Sequence, residues 1–242
     1  MSATVKDIVD AGRAAALTTA VLQQWAAKGT PGQRDYLHGF LIAEAASRTA
    51  SRRARLLKAA RLPVAKTLDG YDWAAVTFPA GYGREQLAGL AFADAAEDLV
   101  CYGDVGTGKT HLAAALIAAA CQAGMPARFF TATALVDHLR RAKADGNLHK
   151  ELAALAKNRI VAIDELGYIP IDTEGARLLF QVISSSYETS SLIITTNLEF
   201  SRWGTVFGDD NMAAAIIDRL VHHGRLLQFR GESYRVHNAL MK

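Results

Sequence analysis

Apolar and polar positions along this chain follow two different rhythms. Near the N-terminus the spacing is helical. Thr4, with Asp7 three residues on, forms a capping pair ahead of an alanine-rich run over residues 11–27. Lys28-Gly29-Thr30-Pro31-Gly32 breaks that run, because glycine and proline both disfavour helix interiors. A second helix is predicted over residues 36–61, stopping near Pro63. Residues 68–83, with Gly70, Pro79, Gly81 and Gly83 among scattered aromatics, read as a linker. Beyond them the rhythm becomes strand, then helix. Short apolar runs at residues 99–102, 127–131, 159–163, 192–196 and 225–229 alternate with amphipathic stretches. Leu135, Leu139 and Ala142 share one helical face. Ala176, Leu179, Phe180, Ile183 and Tyr187 make a longer stripe behind Asp172 or Thr173 as N-cap. This alternation predicts an α/β fold, a mostly parallel sheet covered by helices on both faces. The boundary falls at the linker, giving a helical domain over residues 1–68 and an α/β domain over residues 69–242.

The first of these strands runs straight into a glycine-rich segment. Gly103, Asp104, Val105, Gly106, Thr107, Gly108, Lys109 and Thr110 fit G-x-x-x-x-G-K-[ST], and a helix is predicted from Thr110 to Ala120. Glycines let such a loop curl so that its N–H groups converge on phosphate oxygens, and the helix N-terminus adds partial positive charge. Lys109 is placed to reach the β- and γ-phosphates of ATP, and the Thr110 hydroxyl to ligate Mg²⁺. The strand at residues 159–163 ends in two carboxylates. Asp164 suits holding Mg²⁺ indirectly, through the groups that ligate it, and Glu165 suits orienting and polarising an attacking water. The strand at residues 192–196 ends at Asn197, at the sheet edge where α/β proteins bind ligands. Taken alone, Asn197 either caps the following loop or hydrogen-bonds the γ-phosphate or the attacking water.

Composition leaves this picture in place: of 242 residues, 50% are hydrophobic and 21% charged, ordinary values for a globular protein. No apolar run approaches the roughly 20 residues needed to cross a bilayer, and no signal-peptide layout opens the chain, so a cytoplasmic location is expected. Cys101 and Cys121 form no C-x-x-C pair and read as core residues. Charge adds a new element. Residues 1–68 carry 11 Lys/Arg against 4 Asp/Glu, whereas the rest carry 16 against 20. A basic arm on a mildly acidic body suggests a polyanionic partner.

Taken together the motifs resemble an AAA+ P-loop ATPase, and more narrowly the IstB-like ATP-binding helpers of insertion-sequence transposons, relatives of the DnaC helicase loaders. The narrower resemblance rests on Glu44-Ala-Ala-Ser-Arg48, Leu57-Lys-Ala-Ala-Arg-Leu-Pro63, Tyr102 to Leu112, Ile163-Asp-Glu-Leu-Gly-Tyr168, Ile217-Asp-Arg-Leu-Val-His-His223 and Arg230-Gly-Glu-Ser-Tyr-Arg235. It implies a five-stranded parallel sheet of order 5-1-4-3-2, no substantial helical lid, and ATP and Mg²⁺ as cofactors. Nucleotide contacts would run from Gly103 to His111. Asn197 would act as sensor 1. Arg219 matches the arginine finger that completes a neighbouring subunit's site; the bland alternative is a surface arginine paired with Asp218. Arg235 matches a terminal arginine that senses phosphate in cis or serves a structural ion pair. His222-His223 lacks a third ligand and reads as structural or solvated.

Two basic regions are candidates for DNA. Arg48, Arg52 and Arg55 lie at i, i+4 and i+7 of the second helix and share a face. This run either binds DNA or docks on a neighbouring subunit. Arg140, Arg141 and Lys143 lie on the helix that, by resemblance, lines the central channel and touches the DNA backbone. For both regions a solvated helix face is the alternative. The resemblance implies an ATPase that forms a homo-oligomer on DNA, as ring or spiral, and works with a transposase. A DnaC-type replicative helicase loader is the runner-up.

Overall fold

The computed structural model describes residues 2–234 and divides the chain into two compact units, Met1–Arg55 and Leu56–Lys242. In the first unit α1 (Val5–Ala14) opens with the expected capping box: Thr4 accepts the Asp7 N–H, and the Asp7 carboxylate accepts the Thr4 N–H. The alanine-rich run is not one helix. It breaks after Ala15, where Ala16 takes a left-handed φ of 57°, and resumes as α2 (Thr19–Lys28). The break folds α2 back on α1, and Gly12 admits Leu22 where a Cβ would clash. Ile8, Val9, Leu22, Ala26 and Leu41 form a small core there. The third helix, α3 (Pro31–Ala60), starts earlier than expected, since proline is tolerated in a first turn.

In the second unit Leu56, Leu57, Leu62 and Leu68 pack against a large core. Six strands form one sheet: β1 (Val76–Thr77), β2 (Asp98–Gly103), β3 (Ala127–Thr131), β4 (Ile160–Leu166), β5 (Ser191–Thr196) and β6 (Gly224–Phe229), in the order β1-β6-β2-β5-β4-β3. The five strands from β2 to β6 are parallel and realise the expected order 5-1-4-3-2, with β5 between β2 and β4. The expectation of five strands needs one correction. The stretch read as a linker contributes β1, which pairs antiparallel with the edge of β6, and buries Tyr71 and Tyr82 in the core.

Alternate residues of the buried strands enter two different cores. Leu99 and Cys101 of β2, Ile160 and Ala162 of β4 and Ile193 of β5 face one, with α6 (Lys109–Gln122). Val100, Val161, Ile163, Leu192 and Ile194 face the other, with α7 (Ala132–Ala144), α9 (Thr173–Ser186) and α11 (Asp210–His222). This period-two partition of continuous apolar runs is what a sheet covered on both faces requires. Between these elements lie short helices: α4 (Arg84–Ala88), α5 (Ala91–Asp94), α8 (Leu148–Leu155) and α10 (Trp203–Phe207). Among the described residues no helix is long and apolar enough to cross a membrane.

Candidate active site

The carboxyl ends of β2, β4 and β5 converge beside the N-terminus of α6. The loop at residues 103–110 leaves β2 there, and its three glycines all have positive φ: 143° at Gly103, 81° at Gly106 and 98° at Gly108. Each is also a close approach. An added Cβ would meet the Phe229 carbonyl at Gly103, the Ser233 side chain at Gly106 and the Tyr71 hydroxyl at Gly108. The loop is therefore clasped by chain on either side of it. Tyr71 donates its hydroxyl to the Gly108 carbonyl at 3.2 Å, and the Tyr234 N–H donates to the Gly106 carbonyl at 3.1 Å. Burial raises the Tyr71 phenol well above its ordinary range, so it stays a neutral donor.

Lys109 is only 6% exposed, and its ammonium donates to the carbonyls of Gly103 (2.8 Å) and Asp104 (2.5 Å). Thr107 is buried and donates to the Asp104 carbonyl at 2.7 Å, tightening the turn, while Asp104 and Val105 are exposed. His111, one residue past Thr110, is held by the Thr67 carbonyl at 3.0 Å and stands edge-on to Tyr71.

Thr110 donates to Asp164 Oδ1 at 3.1 Å, which joins the loop to the end of β4. Asp164 is 2% exposed. Burial pushes its carboxyl upward, opposed by hydrogen bonds from Thr195 and Thr110 and by the nearby Lys109 charge. Glu165 is exposed, and the backbone explains how. Ile163 pairs with Ile194 and Leu166 with Thr196, so two residues of β4 oppose the single Thr195 of β5. In this bulge Glu165 takes a left-handed φ of 60°, a conformation costing a non-glycine residue roughly 1–2 kcal/mol. Strain of this kind persists only where surrounding contacts enforce it, and it gathers at functional sites. Here Glu165 N–H donates to Thr195 Oγ1 at 3.0 Å and its carbonyl accepts Tyr168 N–H. Asn197 follows β5. Its Oδ1 is buried and finds no hydrogen-bond partner among the described residues, so it stands ready to accept from a water or another donor.

The residues fit a nucleotide and a divalent cation. The loop has the glycines a phosphate cradle needs, the Thr110 hydroxyl and a buried carboxylate meet at its rim, and an unsatisfied amide oxygen lies at the adjoining strand end. Thr195 and Tyr71 were not foreseen. A Thr-Thr-Asn strand end is the only sequence signal for the first, and nothing local marks the second.

Other expected residues lie apart from this cluster. Arg219 lies in the last turn of α11, where it donates to the Ala215 carbonyl at 2.8 Å and stacks its guanidinium over Phe180 at 5.1 Å. Arg235 lies outside the described residues. Asp172 caps α9 as expected and also pairs with Arg140, while Lys143 pairs with Glu174 at 2.5 Å. Arg141 is exposed beside them. On α3, Arg48 pairs with Glu44 at 2.6 Å, and Arg52 and Arg55 are exposed. His222 bonds Tyr187 and His223 pairs with Glu188. Among the described residues no group of three or more His, Cys, Asp or Glu is placed to hold a metal.

Comparison with known proteins agrees with this arrangement. The sequence matches the family IstB-like ATP binding protein over residues 5–241. It is 43% identical to the ATP-binding protein of insertion sequence IS21 from Pseudomonas aeruginosa, over 74% of this chain and 68% of that one. It is 38% identical to the ATP-binding protein of insertion sequence IS5376 from Geobacillus stearothermophilus, over 84% and 80%. Among solved structures, the DnaC helicase loader superposes with a TM-score of 0.54 at 22% identity, covering 73% of this chain and 99% of that one. The replication initiator DnaA bound to AMPPCP and single-stranded DNA gives 0.56 at 15%, covering 71% and 52%; at these identities the likeness is one of fold. With a phosphate loop, an acidic strand end and this strand order in one sheet, the chain belongs to the IstB-like ATP-binding proteins, with the AAA+ P-loop fold.

Proposed function

We propose that this protein is a Mg²⁺-dependent ATPase that assembles on DNA in its ATP-bound form and serves a transposase. The observation that carries the hydrolytic part is the bulge in β4. It turns the Glu165 carboxylate outward, one residue from an Asp164 that is buried and bonded to the loop threonine. A protein that used ATP only as a structural clasp would have no need of a strained carboxylate there.

In this reading Gly103 to His111 cradle the phosphates, and Lys109 exchanges its loop carbonyls for the β- and γ-phosphate oxygens. Thr110, with Asp164 behind it, would hold Mg²⁺, which would supply positive charge against the phosphates. Glu165 polarises the attacking water, and the Asn197 amide hydrogen-bonds that water or the γ-phosphate. Arg219 reaches a neighbouring subunit's γ-phosphate; leaving Phe180 and the Ala215 carbonyl breaks only one intrahelical bond. The DNA backbone is held by Arg140, Arg141 and Lys143 and by Arg48, Arg52 and Arg55, through salt-sensitive and largely sequence-independent contacts. The names of the insertion-sequence relatives support a transposase as partner over a helicase.

Glu165→Gln tests this directly. Turnover should fall by about 100-fold or more while ATP still binds, so the variant should remain on duplex DNA in ATP long after wild type has dissociated. Equal turnover and equal DNA lifetimes for the two proteins, with transposase present, would contradict the hydrolytic reading.

A further inference from the structure

Thr195 is the one residue of β5 that faces the bulge, with Asp164 and Glu165 both opposite it. Its side chain is buried, and its single hydroxyl reaches both neighbours. It donates to Asp164 Oδ1 and accepts the Glu165 N–H at 3.0 Å. A threonine oxygen has one proton to give and two lone pairs, so both contacts can form at once, and the carboxylate as acceptor fixes which way the proton points. Packing does not require this hydroxyl. Valine has nearly the same shape, suits a buried strand, and would share a face with Ile193. What valine would remove is the acceptor for a backbone N–H in a left-handed conformation, together with one of the donors that orient Asp164.

We propose that Thr195 is a positioning residue for ATP hydrolysis: one hydroxyl fixes the Asp164 carboxylate and also locks the backbone turn that aims Glu165 outward. The proposal rests on the hydrolytic reading above. Thr195 touches neither water nor phosphate in this role. It acts by holding two neighbours in register, and its loss loosens both together.

The test uses the full-length protein with Thr195→Val, Thr195→Ser and Thr195→Cys. In the absence of nucleotide, amide hydrogen exchange over residues 163–167 should quicken by about tenfold or more in T195V and match wild type in T195S, because only the valine leaves the Glu165 N–H without its acceptor. With ATP and Mg²⁺, kcat of T195V should fall by about tenfold or more with KM within about threefold, while T195S stays within about threefold of wild type. In a Glu165→Gln background T195V should cost less than it does in wild type, because only its effect through Asp164 remains. Should T195V fail to fold, T195C keeps the size with a poor acceptor, and it should fall between valine and serine in both measurements. Wild-type kcat, or wild-type exchange at Glu165, in a folded T195V would overturn the proposal. Absence of Lys109-dependent turnover in wild type would overturn the hydrolytic reading itself and Thr195's role with it, and the exchange comparison would still report whether Thr195 holds the bulge.

Discussion

Asp98 and Asp164 are buried carboxylates at opposite ends of the parallel strands, and their surroundings differ. Asp164 collects two threonine hydroxyls and the field of Lys109 at the carboxyl edge of the strands. Asp98 begins β2 at the other edge, 5% exposed, and accepts the Leu192 N–H at 2.7 Å. Burial pushes the Asp98 carboxyl up from 3.8 to about 7, with the Leu192 N–H opposing. The folded protein therefore holds this proton more tightly than the unfolded chain does. The stabilising contribution is fully present below about pH 4 and is lost as pH rises toward 7. Asp98→Asn keeps an acceptor oxygen for Leu192 and cannot ionise. Urea unfolding should show the variant close to wild type near pH 4 and more stable above pH 7, by at most about 4 kcal/mol. Parallel stability curves for the two proteins across that range would show that Asp98 ionises in the fold as freely as in water.

The helices α7 and α9 are joined at their facing ends by two ion pairs, Arg140 with Asp172 and Lys143 with Glu174. Both cations belong to the group proposed to hold DNA, so phosphate must compete with these carboxylates. Glu174→Gln releases Lys143. It should tighten non-specific duplex binding and steepen the plot of log affinity against log salt by about one, the slope of one extra phosphate contact. An unchanged slope would remove Lys143 from the DNA surface. These pairs also mark where sequence reading stops. The partners lie more than 30 residues apart, and helical spacing says nothing about which faces will meet. The same limit applies to the clasp on the phosphate loop by Tyr71 and Tyr234. By contrast the five parallel strands were legible because each is a largely apolar run long enough to cross a core, and the loop was legible because three glycines and a lysine have few other uses at that spacing. Val76 and Thr77 form a strand too short to announce itself. The break at Ala16 sits within an alanine-rich run whose propensity favours continuing the helix, and tertiary packing against Leu22 decides otherwise. The bulge at Glu165 was hidden for a different reason: its acidic pair was readable, but its register depends on β5.

As a whole the molecule joins a basic helical unit to a sheet whose carboxyl edge carries the proposed ATP site. Lys109, Asp164 and Glu165 stand together at that edge, whereas Arg219 is packed over Phe180 in the last turn of α11 and takes no part in their cluster. If Arg219 completes the site of a neighbouring copy, ATP becomes the link between subunits, and the loop that binds it controls assembly on DNA. The most direct measurement is steady-state ATP turnover, with duplex DNA present, by Lys109→Ala, by Arg219→Ala and by mixtures of the two. Each variant alone should be nearly inactive. In a mixture, an Arg219→Ala subunit keeps an intact loop and can receive an intact arginine from a Lys109→Ala neighbour, so activity should return, highest near equal proportions. Mixtures no more active than either variant alone would contradict a shared site.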